Sequence, residues 1–474
     1  MRATRALLSR VRAFPWLWVL AGAPAALAQP AALSPVQVTA RAVFRELIGT
    51  NTDHDSGSTT VAAQAIARRL IAAGIPAADV QVVGPAESRN HNLVARVRGS
   101  GRRRPILLLA HLDVVTARRA DWTVEPYSLT ERDGFFYGRG ASDVKDGAAI
   151  LVAAVIQMKR DGVVPDRDVI LALTAGEESN ADYNGVSWLL DHRRDLIDAE
   201  FCWNVDGGDP QLQRGRRIAR TVQASEKVYA SFRLEATNAG GHSSLPTKDN
   251  AIYRLAAALS RLAAFDFPAN LGEVTRAWFA AVAKTESAQP RADITTMLAR
   301  GDPHGEARLA RSPLYNAMMR TTCVATLLDG GHAENALPQR AGAVVNCRVL
   351  PGEALDAVRR TLQRVVADAG VNVTAVGVAN PSPASPLRPE VVSAIEAATT
   401  SMWPGVPIVP VMETGATDGA FLRNAGVPTY GVATVFLDVD DQRAHGRDER
   451  ILVKEFDSGA EYALALLKAF VTSR

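Results

Sequence analysis

The chain reads as an α/β protein with a second, α+β layer inserted between two parts of the first. Three observations carry this. Buried-strand patterns alternate with helical ones from Ser34 to about Ala224, as in a largely parallel sheet covered by helices. From Lys227 the order becomes strand (Val228 to Thr237), helix (Asn250 to Ala264), paired strands (Thr321 to Leu328, Ala341 to Leu350), helix (Leu355 to Ala369) and strand (Val371 to Val378). That order is a split βαβ layer with helices on one face. After the linker Pro381-Ser382-Pro383-Ala384-Ser385-Pro386 the first pattern resumes with a helix over Glu390 to Thr399.

The first segment carries Arg2, Arg5, Arg10 and Arg12, then an apolar run from Ala13 and the small-residue site Ala26-Leu27-Ala28. It reads as a secretory signal peptide, so the expected location is secreted or periplasmic. Its apolar run is short and interrupted by proline for a membrane span; an N-terminal anchor is the other reading. Losing those arginines takes the net charge from +3 to −1, and nothing points to nucleic acid. Roughly 445 residues remain, more than one core usually supports. The expected division is leader 1–28, first catalytic part 29–224, inserted layer 225–382 and second catalytic part 383–474. The stretch Phe265 to Arg320 is long, and reads either as an extended dimer contact or as a substrate-side cover.

Five residues sit at strand ends or tight loops and could bind metal. The apolar run Ile106 to Ala110 delivers His111. On a strand, Asp113 shares its face, which suits a carboxylate holding the second ring nitrogen of a metal-binding histidine. The turn Gly138 to Gly147 places Asp143 ahead of a helix, where it is either an N-cap or a carboxylate whose two oxygens serve two metals. The strand Asp168 to Thr174 ends in Gly176-Glu177-Glu178, two acids that repel unless cations are near. Phe201 to Val205 delivers Asp206 before two glycines, and His445 lies in a polar loop before a C-terminal helix. Two Zn²⁺ ions balance Asp143, Glu178, Asp206 and one hydroxide, with His111 and His445 neutral. Such mixed ligation suits catalytic zinc, and Co²⁺ or Mn²⁺ fit the same donors.

These segments, together with Gly240-Gly241-His242-Ser243-Ser244, Arg348 to Gly352, Gly415-Ala416-Thr417-Asp418 and His445 to Arg450, resemble the M20 metallopeptidases in order and over most of the chain. The resemblance implies a di-zinc catalytic domain with an inserted lid that dimerises in many members. It implies that His111 and Asp206 serve one metal, Glu178 and His445 the other, and Asp143 both. Glu177 is then the general base toward a hydroxide bridging the metals, and Asp113 a catalytic residue that acts through His111. His242 resembles a histidine that some relatives supply across the dimer interface to the oxyanion, a role that can contribute about 3 kcal/mol. Arg348 resembles the family's arginine for the substrate carboxylate; Asn335 and Gly415 line the same substrate.

The expected activity is hydrolysis of a peptide or N-acyl amino acid amide beside a free carboxylate, as in a carboxypeptidase. Alternatives are a dipeptidase, aminopeptidase or aminoacylase, since Asp206 stands where several carboxypeptidase relatives have Glu, and a catalytically silent peptide-binding protein. The remaining histidines, His54, His91, His192, His304 and His332, lie in polar loops and carry no assignment. Cys202 reads as a core residue. Cys323 and Cys347 fall on strands of one region, but a disulfide needs a geometry that sequence does not fix.

Overall fold

Three apolar runs become adjacent parallel strands, Val169–Thr174, Ile106–His111 and Phe201–Asn204, with every residue buried. Strands without a polar face must be covered on both sides. Alternation along Ile106–His111 shows how this is met: Ile106, Leu108 and Ala110 enter one core, Leu107 and Leu109 another, as a period of two requires. The computed structural model describes residues 32–179 and 182–472; the expected leader lies outside them. The three strands sit within a mixed ten-stranded sheet. Thr429–Gly431 runs parallel to Phe201–Asn204, and Asn92–Val97 antiparallel to Val169–Thr174.

The helix Lys145–Arg160 is buried along nearly its whole length. A helix apolar all round belongs inside a core, and this one packs against Pro35–Gly49 and Val453–Val471. Lys145 is buried with it, its Nζ donating to the carbonyls of Leu47 and Thr50 at the end of Pro35–Gly49. Carbonyls at a helix C-terminus carry partial negative charge, so a cation suits them.

The inserted layer has the strand order Thr322–Gly330, Arg340–Val349, Val228–Thr237, Val371–Val376, each neighbour antiparallel. This is the split βαβ arrangement that the sequence predicts. Helices Ala251–Ala263 and Leu355–Val366 join it around a separate core that includes Phe232, Leu255, Val345 and Leu362. Its outer strand exposes Val324, Leu327 and Leu328. No helix among the described residues is long and apolar enough to cross a membrane.

The stretch Phe265 to Arg320 holds four helices, Glu273–Val282, Ala288–Arg300, Pro303–Leu309 and Pro313–Met319. Trp278, Phe279, Met297 and Met319 join the buried cluster that contains Val409 and Met412 of the large sheet. The four helices therefore pack toward the main core, while Phe265 and Phe267 at the start of the stretch join the core of the inserted layer. Local signals mark two of its helix starts: Asp302 and Ser312 each accept from a backbone N–H as N-caps, with Pro303 and Pro313 following.

Cys323 and Cys347 lie directly opposite in register and are joined by a disulfide. With 24 residues separating them, the bond should contribute about 3 kcal/mol by restricting the unfolded chain. Cys347→Ser is expected to lower the denaturation midpoint of the inserted layer accordingly, and an unchanged midpoint under oxidising conditions would contradict this.

Candidate metal centre

The carboxyl ends of the three central strands lie side by side, and each delivers acidic or imidazole groups. His111 ends its strand; Glu177 and Glu178 follow Thr174; Asp206 follows Asn204 by two residues. In parallel sheets this rim is where ligands bind. Two glycines make the turns possible. Gly176 has φ +78°, and a Cβ there would stand 1.8 Å from the Tyr183 carbonyl oxygen. Gly208 has φ +67°, with the Gly431 carbonyl oxygen 2.1 Å from an added Cβ. Asn204 fixes the next turn by accepting from the Asp206 N–H and donating to its carbonyl.

The structure brings all five predicted ligands together. His111 Nε2 lies 3.2 Å from Asp143 Oδ1. His445 Nε2 lies 3.0 Å from Asp143 Oδ2 and 2.9 Å from Glu178 Oε2. His111, Asp143 and Asp206 form one group whose ligand atoms all fall within 4.8 Å, and Asp143, Glu178 and His445 form a second. Asp143 belongs to both. It is no N-cap: Val144 takes that position ahead of the helix, and the Asp143 oxygens face the two histidines.

Electrostatics shows what the cluster lacks. Burial raises Glu177 well above the ordinary carboxylate range, and repulsion from Asp206 adds to it. Burial likewise raises Asp206, with Asp143 and Asp418 contributing. Burial alone would lower His111, but its bond with Asp143 and the charges of Asp206 and Glu177 hold it well above the usual imidazole range. Hydrogen bonds with Asp143 and Glu178 push His445 up to about 10. Carboxylates crowded and buried in this way call for positive charge, which divalent cations would supply. The donor set of carboxylate and imidazole around a shared Asp fits two divalent ions.

Asp113 is placed differently from expectation. His111 Nδ1 lies 2.9 Å from the backbone carbonyl of Asp113, while the nearer carboxylate oxygen is 3.9 Å away. The carboxylate is turned to the next loop, where it accepts from the N–H groups of Gly176, Glu177 and Glu178. Three amide donors outcompete one ring nitrogen for it.

Glu449 is the residue that sequence reasoning left without a role. It is fully buried and accepts from Arg139 Nη1, the Gly140 N–H, and both the N–H and hydroxyl of Ser142. Arg139 Nη2 in turn donates to the Gly446 carbonyl. This brace ties the loop of Asp143 to the loop of His445, which adopts φ +62°. Its signal was the acid at the end of the His445 to Arg450 motif, followed by an apolar strand. Asp418 is also buried, and accepts from Thr174 and Asn184 side chains.

The residues expected from the inserted layer stand apart from the metal cluster. His242 and Asn335 are exposed, and the Ser243 N–H donates to the Asn335 carbonyl, so the two share one short ribbon. His242 Nδ1 lies 2.7 Å from Ser244 Oγ, and none of the described contacts joins it to the five ligands. Arg348 stacks over Tyr229 and donates from Nη1 to the Thr414 carbonyl, beside the exposed Gly415.

Residues 107–469 match the peptidase family M20/M25/M40. The chain belongs to that family. It is an M20-type metallopeptidase or amidohydrolase, and the silent binding-protein alternative falls away. The human N-fatty-acyl-amino acid synthase/hydrolase PM20D1 is 30% identical over 77% of this chain and 74% of its own. The M20 family metallo-carboxypeptidase Sso-CP2 from Sulfolobus solfataricus superposes with a TM-score of 0.68 at 18% identity, covering 91% of this chain and 99% of that one. A dinuclear metal-binding M20 peptidase from Bacillus subtilis superposes with a TM-score of 0.59 at 14% identity, over 92% and 99% of the two chains.

Asp113→Ala is expected to cost about 2–4 kcal/mol of stability, because buried amide donors lose their acceptor. Asp113→Asn keeps one acceptor oxygen and should recover part of it. Chemical denaturation of both variants checks this, and equal stability of Asp113→Ala and wild type would refute it.

Proposed function

We propose that this site hydrolyses an amide bond beside a free carboxylate, in a peptide or an N-acyl amino acid, with two divalent ions, most simply zinc. The observation that carries the reading is that Asp143 belongs to both candidate ligand groups. In this reading His111 and Asp206 hold one ion, Glu178 and His445 the other, and Asp143 both. The bound ions would polarise the scissile carbonyl and bring the pKa of an attacking water down to roughly 7. Glu177 accepts the proton of that water and later passes one to the leaving amine. Its raised affinity for protons, caused by burial and by Asp206, suits that exchange. Asp113 orders the Glu177-Glu178 loop through its backbone N–H groups. Arg348 takes the substrate carboxylate as a planar fork, with Asn335 and the backbone at Gly415 completing the grip. His242 supplies a donor to the oxyanion once the lid approaches.

The same reading makes residues 1–28 a cleaved leader for export, 29–224 and 383–474 the catalytic domain, and 225–382 a lid that pairs with a second copy. The exposed apolar side chains on the outer strand Thr322–Gly330 support that pairing, since an open edge invites another strand. The similarity to an N-fatty-acyl-amino acid hydrolase supports an N-acyl amino acid substrate, and the carboxypeptidase neighbour supports a peptide. The shared feature is the free carboxylate.

Glu177→Ala should lower kcat by about 10²–10⁴-fold while metal content stays at two per chain. Full activity, or loss of both ions from a folded variant, would remove Glu177 from its role. Ion binding should also release protons. With His445 raised to about 10, that imidazole stays protonated in the metal-free protein at neutral pH and must lose its proton to act as a ligand. Zinc affinity should therefore rise with pH up to about 10, and calorimetry in buffers of different ionisation enthalpy should detect the released protons. Uptake without proton release near pH 7 would contradict the assignment.

A further inference from the structure

Beside Asp143 and Asp206 lies a cavity of about 190 Å³ whose wall contains three more acids, Asp146, Asp209 and Glu413, and no Lys, Arg or His. Asp146 is 5% exposed, and its Oδ1 has no hydrogen-bond partner. Thr434, 2% exposed, also lines the cavity, and its Oγ1 is likewise without a partner. Glu413 accepts only a long bond, 3.4 Å, from the Gly208 N–H among the hydrogen bonds described. Asp209 is exposed at the cavity surface, where Glu413 and Asp143 repel its charge; burial raises Asp146, with Asp209 adding to it, and burial with Glu226 raises Glu413. Acids crowded in this way favour a cation beside them.

An organic cation fits this cavity better than a metal ion. Among the described residues, these three acids do not converge closely enough to share a metal ion as the two ligand groups do. Two divalent ions would be balanced by Asp143, Glu178, Asp206 and one hydroxide, leaving Asp146, Asp209 and Glu413 without compensation. Val205, Val435 and Leu437 add an apolar wall, which suits an alkyl stem ending in a charge. The volume is below the roughly 300–1,000 Å³ of pockets for whole ligands, and is right for one side chain. Gly415 and Thr417 belong to the same wall, and Arg348 bonds to the neighbouring Thr414 carbonyl. The cavity therefore lies on the side of the site where Arg348 would hold the substrate carboxylate.

We propose that this cavity receives the cationic side chain of the amino acid that bears the free carboxylate, so that substrates ending in lysine, arginine or ornithine are the preferred class. The inference rests on the amide-hydrolase reading above and narrows its substrate. The lid arginine takes the carboxylate, and the acids of the cavity take the ammonium or guanidinium.

The test compares N-acetyl-lysine, N-acetyl-norleucine and N-acetyl-glutamate on the zinc-loaded enzyme. Lysine and norleucine differ essentially in the ammonium, so kcat/KM should favour lysine by about tenfold or more, with the glutamate substrate poorest. Asp209→Asn and Glu413→Gln should each bring the lysine-to-norleucine ratio toward one. Calorimetry with free L-lysine and L-norleucine gives a readout independent of turnover: lysine should bind more tightly, and Asp209→Asn should remove the difference. Equal binding of the two amino acids, or a ratio unmoved by both variants, overturns the proposal. If lysine binds selectively but no acyl amino acid or peptide is cleaved, the pocket stands and the amide-hydrolase reading falls.

Discussion

The site is governed by the repulsion among carboxylates that the fold forces into one place. Asp143, Glu177, Glu178 and Asp206 come from three separate loops and Asp418 from a segment far along the chain, and burial removes the water that would screen them. The three central strands cannot spread to relieve this, because each is buried on both faces and held in register by its neighbours. The apolar energy of the sheet thus carries the cost of the charged rim. Divalent ions would offset it, since each would carry two positive charges into the carboxylate shell.

Supporting residues convert that tension into defined positions. Asp113 ties down the backbone of the Glu177-Glu178 loop, and Glu449 joins the Asp143 and His445 loops through Arg139, Gly140 and Ser142. Both are acids whose charge is spent on N–H donors and not on substrate. A carboxylate surrounded by several donors tolerates burial, so these groups can stand close to the ligands without competing for ions. The left-handed backbone at His445 is held by the same brace, since Arg139 bonds to the carbonyl of Gly446 beside it.

The parallel core was legible because Ile106–His111, Val169–Thr174 and Phe201–Asn204 are apolar without interruption, and runs of that kind admit few alternatives. The five predicted ligands followed from where those runs stop and from the order of the motifs. Other features depend on facts that periodicity does not encode. Asp113 shares a strand face with His111, yet its carboxylate bonds to a loop more than sixty residues on. Glu449 acts across 307 to 310 positions. Two of the four helices between Glu273 and Met319 are only seven residues long and start at proline-containing caps, so their apolar stripes give a weak periodic signal.

Charge also divides the substrate-side surfaces. The inserted layer presents Arg348, held against Tyr229 and the Thr414 carbonyl, whereas the cavity beside Asp143 and Asp206 carries Asp146, Asp209 and Glu413. A neutral alkyl side chain in that cavity would cover three acids without satisfying them, and desolvating an unpaired carboxylate is unfavourable. A side chain ending in a cation meets both demands at once, giving the apolar walls a stem and the acids a charge. Discrimination of this type comes less from added attraction to the favoured ligand than from what a poorer one leaves unpaired, which is how a small cavity can select strongly.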